Sequence, residues 1–85
     1  MRNIPNSLRR FRRVRGMKQK EVARILGVKS ASMISRWEKG AALPSTENAF
    51  KLAVIYRTMV DALYMDYLTR LKDELRRREE VLMLK

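Results

Sequence analysis

Three glycines cut the first half of this chain into pieces too short for anything but small helices. Gly16, Gly27 and Gly40 each follow a run whose apolar residues recur at helical spacing. Ile4, Leu8, Phe11 and Val14 make the first run, where Asn6 or Ser7 is placed to cap the opening turn. Val22, Ala23, Ile25 and Leu26 are the inward side of a second helix from about Gln19 to Leu26. Ser30 is a good N-cap for a third helix through about Lys39, with Ile34 and Trp37 on one face and Ser32, Ser35, Arg36 and Lys39 around the others. Glycine takes the left-handed conformation cheaply, so each run ends sharply.

The second half is read the same way. Ala41-Ala42-Leu43-Pro44 cannot continue a helix, and Ser45 caps a fourth one, with Asn48 three positions on. Ala49, Leu52, Ala53, Ile55 and Tyr56 are its inward side. Arg57-Thr58-Met59-Val60 is a short break, and Asp61 opens a fifth helix that meets no Gly or Pro before Lys85, a reach of about 36 Å. No strand-like alternation, repeat or low-complexity tract is present. The expected fold is an all-α five-helix bundle with an extended C-terminal helix.

Composition removes most functions. The 85 residues allow one small domain, and 46% apolar content is that of a globular chain. With no Cys and no His there is no disulfide, thiolate or imidazole metal site, Ser-His or Cys-His pair, or histidine base. No catalytic, metal or cofactor site is expected. The longest uncharged run, Gly40 to Thr46, is seven residues, so no membrane span is expected. Met1-Arg2-Asn3-Ile4-Pro5 lacks the apolar stretch of a signal peptide, and a cytoplasmic protein is the expectation.

Charge points to a partner. From Met1 to Leu43 there are twelve basic residues and two acids, Glu21 and Glu38, a net +10. The rest carries eight basic and seven acidic residues, a net +1. So lopsided a balance implies a polyanion bound by the first half alone.

A short helix, a tight turn and a second short helix opening with small polar residues is a helix-turn-helix, whose second helix enters the DNA major groove. The strings Gln19-Lys20-Glu21-Val22-Ala23-Arg24-Ile25-Leu26-Gly27-Val28, Ile34-Ser35-Arg36-Trp37-Glu38-Lys39-Gly40 and Pro44-Ser45 make it specific. Over roughly Leu8 to Tyr64 the chain resembles the lambda-repressor-like, XRE/Cro-type family of DNA-binding proteins. The resemblance implies that Gln19 touches a phosphate and braces the recognition helix, and that Ala31, Ser32 and Arg36 reach base edges. Arg36 is the expected reader, since a guanidinium donates two hydrogen bonds to guanine O6 and N7, worth about 1–3 kcal/mol of discrimination. Ser32 suits either base, and Ala31 only a thymine methyl. Lys29, Ser30 and Lys39 are the remaining phosphate contacts. Arg12 and Glu38 match a structural ion pair joining the first helix to the end of the third. Glu38 is also costly to bury unpaired. Trp37 shares a face with Ile34 and reads as core.

This sequence departs from the family pattern in three places. One extra residue separates Gly27 from Ile34, which extends the turn around Lys29-Ser30 and leaves two registers, one residue apart, open for Ala31 and Ser32. Met33 stands where a small polar residue is usual, either packing under the helix or meeting a thymine methyl. Ala41-Ala42 replaces the usual basic loop, so anchoring there falls to backbone N–H groups and Lys39.

The division expected is residues 1–67 for the helix-turn-helix domain and 68–85 for a C-terminal extension. Leu63 and Tyr67 close the core, while Tyr64, Leu68, Leu71, Leu75 and Leu82 form one stripe, interrupted at Arg78. Asp73 with Arg77 and Glu74 with Arg78 are favourable pairs on its flanks. Leu68, Leu71, Leu75 and Leu82 are the expected dimer or partner surface, since an apolar stripe on a charged helix needs a cover. The leading function is a sequence-specific double-stranded DNA-binding regulator, a repressor acting as a homodimer on a palindromic operator. The alternative is an antitoxin-type DNA-binding protein whose C-terminal helix binds a toxin or other protein partner. A protein-binding adaptor is disfavoured by the +10 half, and an enzyme by the absence of catalytic groups.

Overall fold

The computed structural model describes residues 3–84. They form α1 (Leu8–Val14), α2 (Gln19–Leu26), α3 (Ala31–Glu38), α4 (Thr46–Tyr56), α5 (Val60–Leu63) and α6 (Met65–Met83). The fold is all-α, with no strand among the described residues. Arg2, counted in the basic half, and Lys85, the end of the expected last helix, lie outside the described residues.

Helices α1 to α5 close around one core. Leu8 from α1, Val22 and Leu26 from α2, Ile34 and Trp37 from α3, Leu52 and Tyr56 from α4, and Leu63 are all buried. Each such side chain contributes roughly 1.5–3 kcal/mol by leaving water. Tyr67 packs on the edge of this cluster. Gly27 ends α2 in the left-handed conformation, and the Ser45 hydroxyl accepts the Asn48 N–H at 3.1 Å to start α4. Arg57 ends α4 with φ 56°, a left-handed position without the glycine that would make it cheap.

The expected fifth helix is two. Tyr64, at φ −131° and ψ 35°, breaks it into the single turn α5 and the 19-residue α6. Leu63 and Tyr64 are both buried. The bend keeps both side chains in the core while α6 sets off in a new direction from α5.

Two inward assignments fail for a geometric reason. A three-residue step falls about 60° short of a full turn, so Val14, two such steps past Leu8, has rotated off the core face. It is 79% exposed. Ile25 sits at the edge of the Val22–Ala23–Leu26 arc and is 59% exposed. With Phe50 and Val54 it lines a shallow apolar groove between α2 and α4.

Helix α6 runs without interruption through the 67/68 division, and burial fades only after Leu71. From there it projects from the bundle and gives the molecule a long dimension of 52 Å against 27 and 20 Å. The expected pairs Asp73–Arg77 and Glu74–Arg78 are not formed; the ion pairs among the described residues involve Glu38 and Glu47 instead. Exposed pairs gain little over hydration and lose side-chain freedom, about 0–1 kcal/mol net.

The N-terminal segment fastens the bundle. The Ile4 N–H donates to the Gly40 carbonyl and the Ser7 N–H to the Leu63 carbonyl, both at 2.9 Å. Asn6, expected only as a cap, does more. Its Oδ1 accepts the Leu8 N–H at 3.1 Å, while its amide nitrogen donates to the carbonyls of Ile4 at 3.0 Å and Trp37 at 3.1 Å. The Ser7 hydroxyl caps nothing.

Gly40 is buried at this junction with φ 77°, and a Cβ there would meet the Ile4 carbonyl oxygen and lie 2.6 Å from the Ile4 nitrogen. Gly27 has a similar φ of 80° but open space around it. Urea denaturation therefore separates strain from clash. Gly27→Ala is expected to cost about 1 kcal/mol, and Gly40→Ala about 3 kcal/mol or more.

Candidate nucleic-acid interface

Helix α3 is the candidate interface because its two sides differ so sharply. Ile34 and Trp37 are buried, whereas Ser32, Met33 and Arg36 lie together on the exposed side. Ala31 and Ser35 are half-buried at the margins, and Lys39 is exposed just beyond the last turn. Met33 thus points to solvent and does not pack beneath the helix. Ser30 occupies the N-cap position but makes no cap bond. Its hydroxyl lies 2.6 Å from that of Ser32, which ties the first turn of α3 to the preceding loop.

The turn from Gly27 to Ser30 borders a groove of about 440 Å³ between α2 and α3. Lys20 and Arg24 line it from α2, with Val28, Lys29, Ser30 and Ala31 on the other side. Lys20 and Arg24 fall one helical turn apart on the exposed side of α2, a spacing visible in the sequence but not singled out there. Four of the groove's residues, Lys20, Arg24, Lys29 and Ser30, are therefore cationic or hydroxylic, and no acid lines it.

Glu38 holds α3 at its far end. Its side chain has no exposed surface. The Arg12 Nε donates to Oε2 at 2.6 Å and the Arg12 Nη2 to Oε1 at 3.1 Å, a two-point contact between α1 and α3. Gln19, the first residue of α2, donates its Nε2 to Oε1 at 3.0 Å. Arg9 adds a longer contact at 3.4 Å. The remaining Arg12 nitrogen, Nη1, donates to the Met17 carbonyl at 2.9 Å and so fixes the α1–α2 turn as well. Gln19, Arg12 and Glu38 thus meet at one point, and Lys29, Ser30, Ala31 and Ser32 gather at the other end of α3. Arg36 and Lys39 lie between and beyond.

Burial pushes the Glu38 carboxyl up, but the hydrogen bonds from Arg12, Gln19 and Arg9, with the Arg12 charge, outweigh it and hold the group below its ordinary value. Burial also raises the Tyr56 phenol, as does the Glu38 charge. Tyr64, buried with no charged neighbour, is pushed up to about 12.

Among the described residues no group of three or more acidic side chains could hold a metal ion. No described helix is long and apolar enough to cross a membrane.

The Glu38 contacts generate a test in acid. A carboxyl held below its ordinary value contributes stability that is present above pH 4.5 and lost as pH falls through the folded value. Melting temperature is expected to drop below pH 4.5, and to drop less steeply in Glu38→Gln. At neutral pH Glu38→Ala, which leaves Arg12 buried without its partner, is expected to cost about 3 kcal/mol in urea denaturation. An unchanged midpoint would show that α3 is held by packing alone.

No curated protein matches the chain. The helix-turn-helix family model matches residues 8–61, from the first residue of α1 into α5. That span covers well over half of the 85 residues and contains the whole arrangement just described. The chain belongs to the lambda-repressor-like, XRE-type helix-turn-helix family, and is a DNA-binding transcription regulator of that kind.

Proposed function

We propose that this protein is a sequence-specific repressor that binds a palindromic operator in double-stranded DNA as a homodimer, in the cytoplasm. The observation that carries the reading is the two-sidedness of α3: Ser32 and Arg36 are exposed together while Ile34 and Trp37 are buried behind them. A helix so mounted presents its polar edge to a major groove without disturbing the core.

The roles divide by chemistry. Arg36 reads a guanine through two hydrogen bonds, and Ser32 and Ala31 complete the contact with base edges. Lys29, Ser30 and Lys39 hold phosphates on either side of α3. Gln19 is placed for two tasks at once: its amide nitrogen is bonded to Glu38, and its oxygen carries none of the hydrogen bonds found in the structure. A water bound beside the phosphate backbone is the partner that oxygen suits, while the second amide proton donates to a phosphate oxygen. Lys20 and Arg24 join the phosphate set from the groove they line. Occupying a promoter is sufficient for repression.

Two measurements test this. If about six phosphates are contacted, affinity for an operator selected from a random duplex library falls by about 10³-fold between 50 and 200 mM salt. A flat response would contradict the model. Arg36→Ala is expected to relax preference at one base position by about 1–3 kcal/mol while its melting curve stays that of the wild type. Unfolding of that variant would instead make Arg36 a structural residue.

A further inference from the structure

Helix α6 leaves the bundle with an apolar stripe that, beyond Leu71, no other described residue covers. Leu71, Leu75, Arg78 and Leu82 follow one another at spacings of four, three and four, the repeat of a coiled-coil seam. Every described residue from 72 onward is exposed, Leu75 at 52% and Leu82 at 68%. At the base of the helix Leu71 is half-buried and shares a shallow groove with Asn3, Ile4 and Tyr67.

We propose that α6 of a second copy covers this stripe and runs antiparallel to it, Leu75 lying beside the partner's Arg78 and Leu82 beside the partner's Leu71. The proposal rests on the dimer stated above and gives it an interface and an orientation.

Charge decides the direction. With Leu75 and Leu82 at the first seam position of the heptad and Leu71 and Arg78 at the second, Lys72 and Glu79 flank one side and Glu74 the other. Parallel helices would set Arg78 against the partner's Arg78 inside the seam. They would also set Glu74 against the partner's Glu79, twice by symmetry. Three like-charge contacts would oppose that dimer. Antiparallel helices remove all three. Lys72 then faces the partner's Glu79, again twice, and Arg78 lays its aliphatic stem on the partner's Leu75 with its charge toward the partner's Glu74. A single arginine in an otherwise leucine seam thus selects an orientation.

The register follows from the ends of the stripe. Pairing Leu71 with the partner's Leu82 uses every seam position and brings each helix tip to the groove beside Ile4 of the other copy. The two-fold axis then passes between Arg76 and Arg77. The points where the two copies of α6 leave their bundles, each at Leu71, lie about 16 Å apart along the helix axis.

Sedimentation equilibrium of the full chain, without DNA, tests the orientation. The wild type is expected to dimerise, and Lys72→Glu or Glu79→Lys alone to raise the dimer Kd about tenfold by opposing two like charges. The double variant Lys72→Glu/Glu79→Lys is expected to return to the wild-type value. Both substitutions are at exposed positions, and circular dichroism checks that the bundle is unchanged in all three variants. A tighter dimer from Glu79→Lys would overturn the proposal in favour of parallel helices, because that change relieves the Glu74–Glu79 contact. Swaps without effect, or a monomer up to ~1 mM, would overturn it by removing the second copy as the cover. Duplex binding is measured separately. Its absence in a chain with the expected swap pattern defeats the DNA reading alone, and its presence with the wrong pattern defeats the orientation alone.

Discussion

The rest of the structure depends on where the Glu38 carboxylate finds its donors. Glu38 is one of two acids in a half-chain of net charge +10, and it ends α3, where the helix dipole is negative and disfavours a carboxylate. Its side chain is also wholly withdrawn from solvent. Three unfavourable circumstances are offset by Arg12 at two points, by Gln19 and by Arg9. A buried pair of this kind adds little net stability over an apolar replacement, because desolvation cancels most of the attraction. What it supplies is geometry. The donors come from α1 and from the first residue of α2, so the three helices meet at one fixed angle and α3 cannot roll without breaking charge-assisted bonds.

A second lock sits two residues further on. Gly40 admits the Ile4 backbone to a distance no side chain would permit, and Asn6 donates to carbonyls on both the N-terminal segment and the end of α3. Both restraints act on the C-terminal end of α3. The opposite end, from Ala31 to Ser32, has no charged anchor; the hydroxyl contact between Ser30 and Ser32, the Met33 N–H to the Ser30 carbonyl and the Ile34 side chain hold it. An element anchored at one end and presented at the other suits contact with a groove, where the first turns of the helix meet the bases.

Much of this was legible before the structure, and the exceptions share a cause. Gly27 and Ser45 mark boundaries in the sequence because their chemistry is local: one supplies a backbone conformation, the other a hydroxyl for a nearby N–H. Ile34 and Trp37 were legible because two apolar residues three apart on a short polar helix leave only one inward face. Tyr64 was not, because no glycine or proline marks its bend. Val14 and Ile25 misled for the complementary reason: in helices of seven and eight residues the apolar arc is wider than a small core can cover. Asn6 bridges residues 31 positions apart, and no local pattern announces such a bond. Lys20 and Arg24 were ordinary surface cations until the α2–α3 groove gave them a common wall. The roles of Ala31, Ser32 and Arg36 came from family resemblance. The fold adds that Ser32 and Arg36 are exposed side by side, with Ala31 half-buried at the margin.

The unequal charge of the two halves also bears on how the proposed dimer and its DNA act on each other. Two copies brought together set two half-chains of +10 near one another. Between charges farther apart than the Debye length of about 8 Å at physiological salt that repulsion is largely screened, but it grows as salt is lowered. The helix joining the copies is nearly neutral, its arginines interleaved with Asp73, Glu74, Glu79 and Glu80, so it adds attraction without adding to the repulsion. A duplex neutralises both basic halves at once. Whatever free energy the phosphates remove from the repulsion between copies must appear equally as tighter dimerisation on DNA and as tighter DNA binding by the dimer, since the coupling is reciprocal. Low salt therefore strengthens the contact with DNA while weakening the free dimer, and a chain with this charge distribution is driven to assemble on its operator more than in solution.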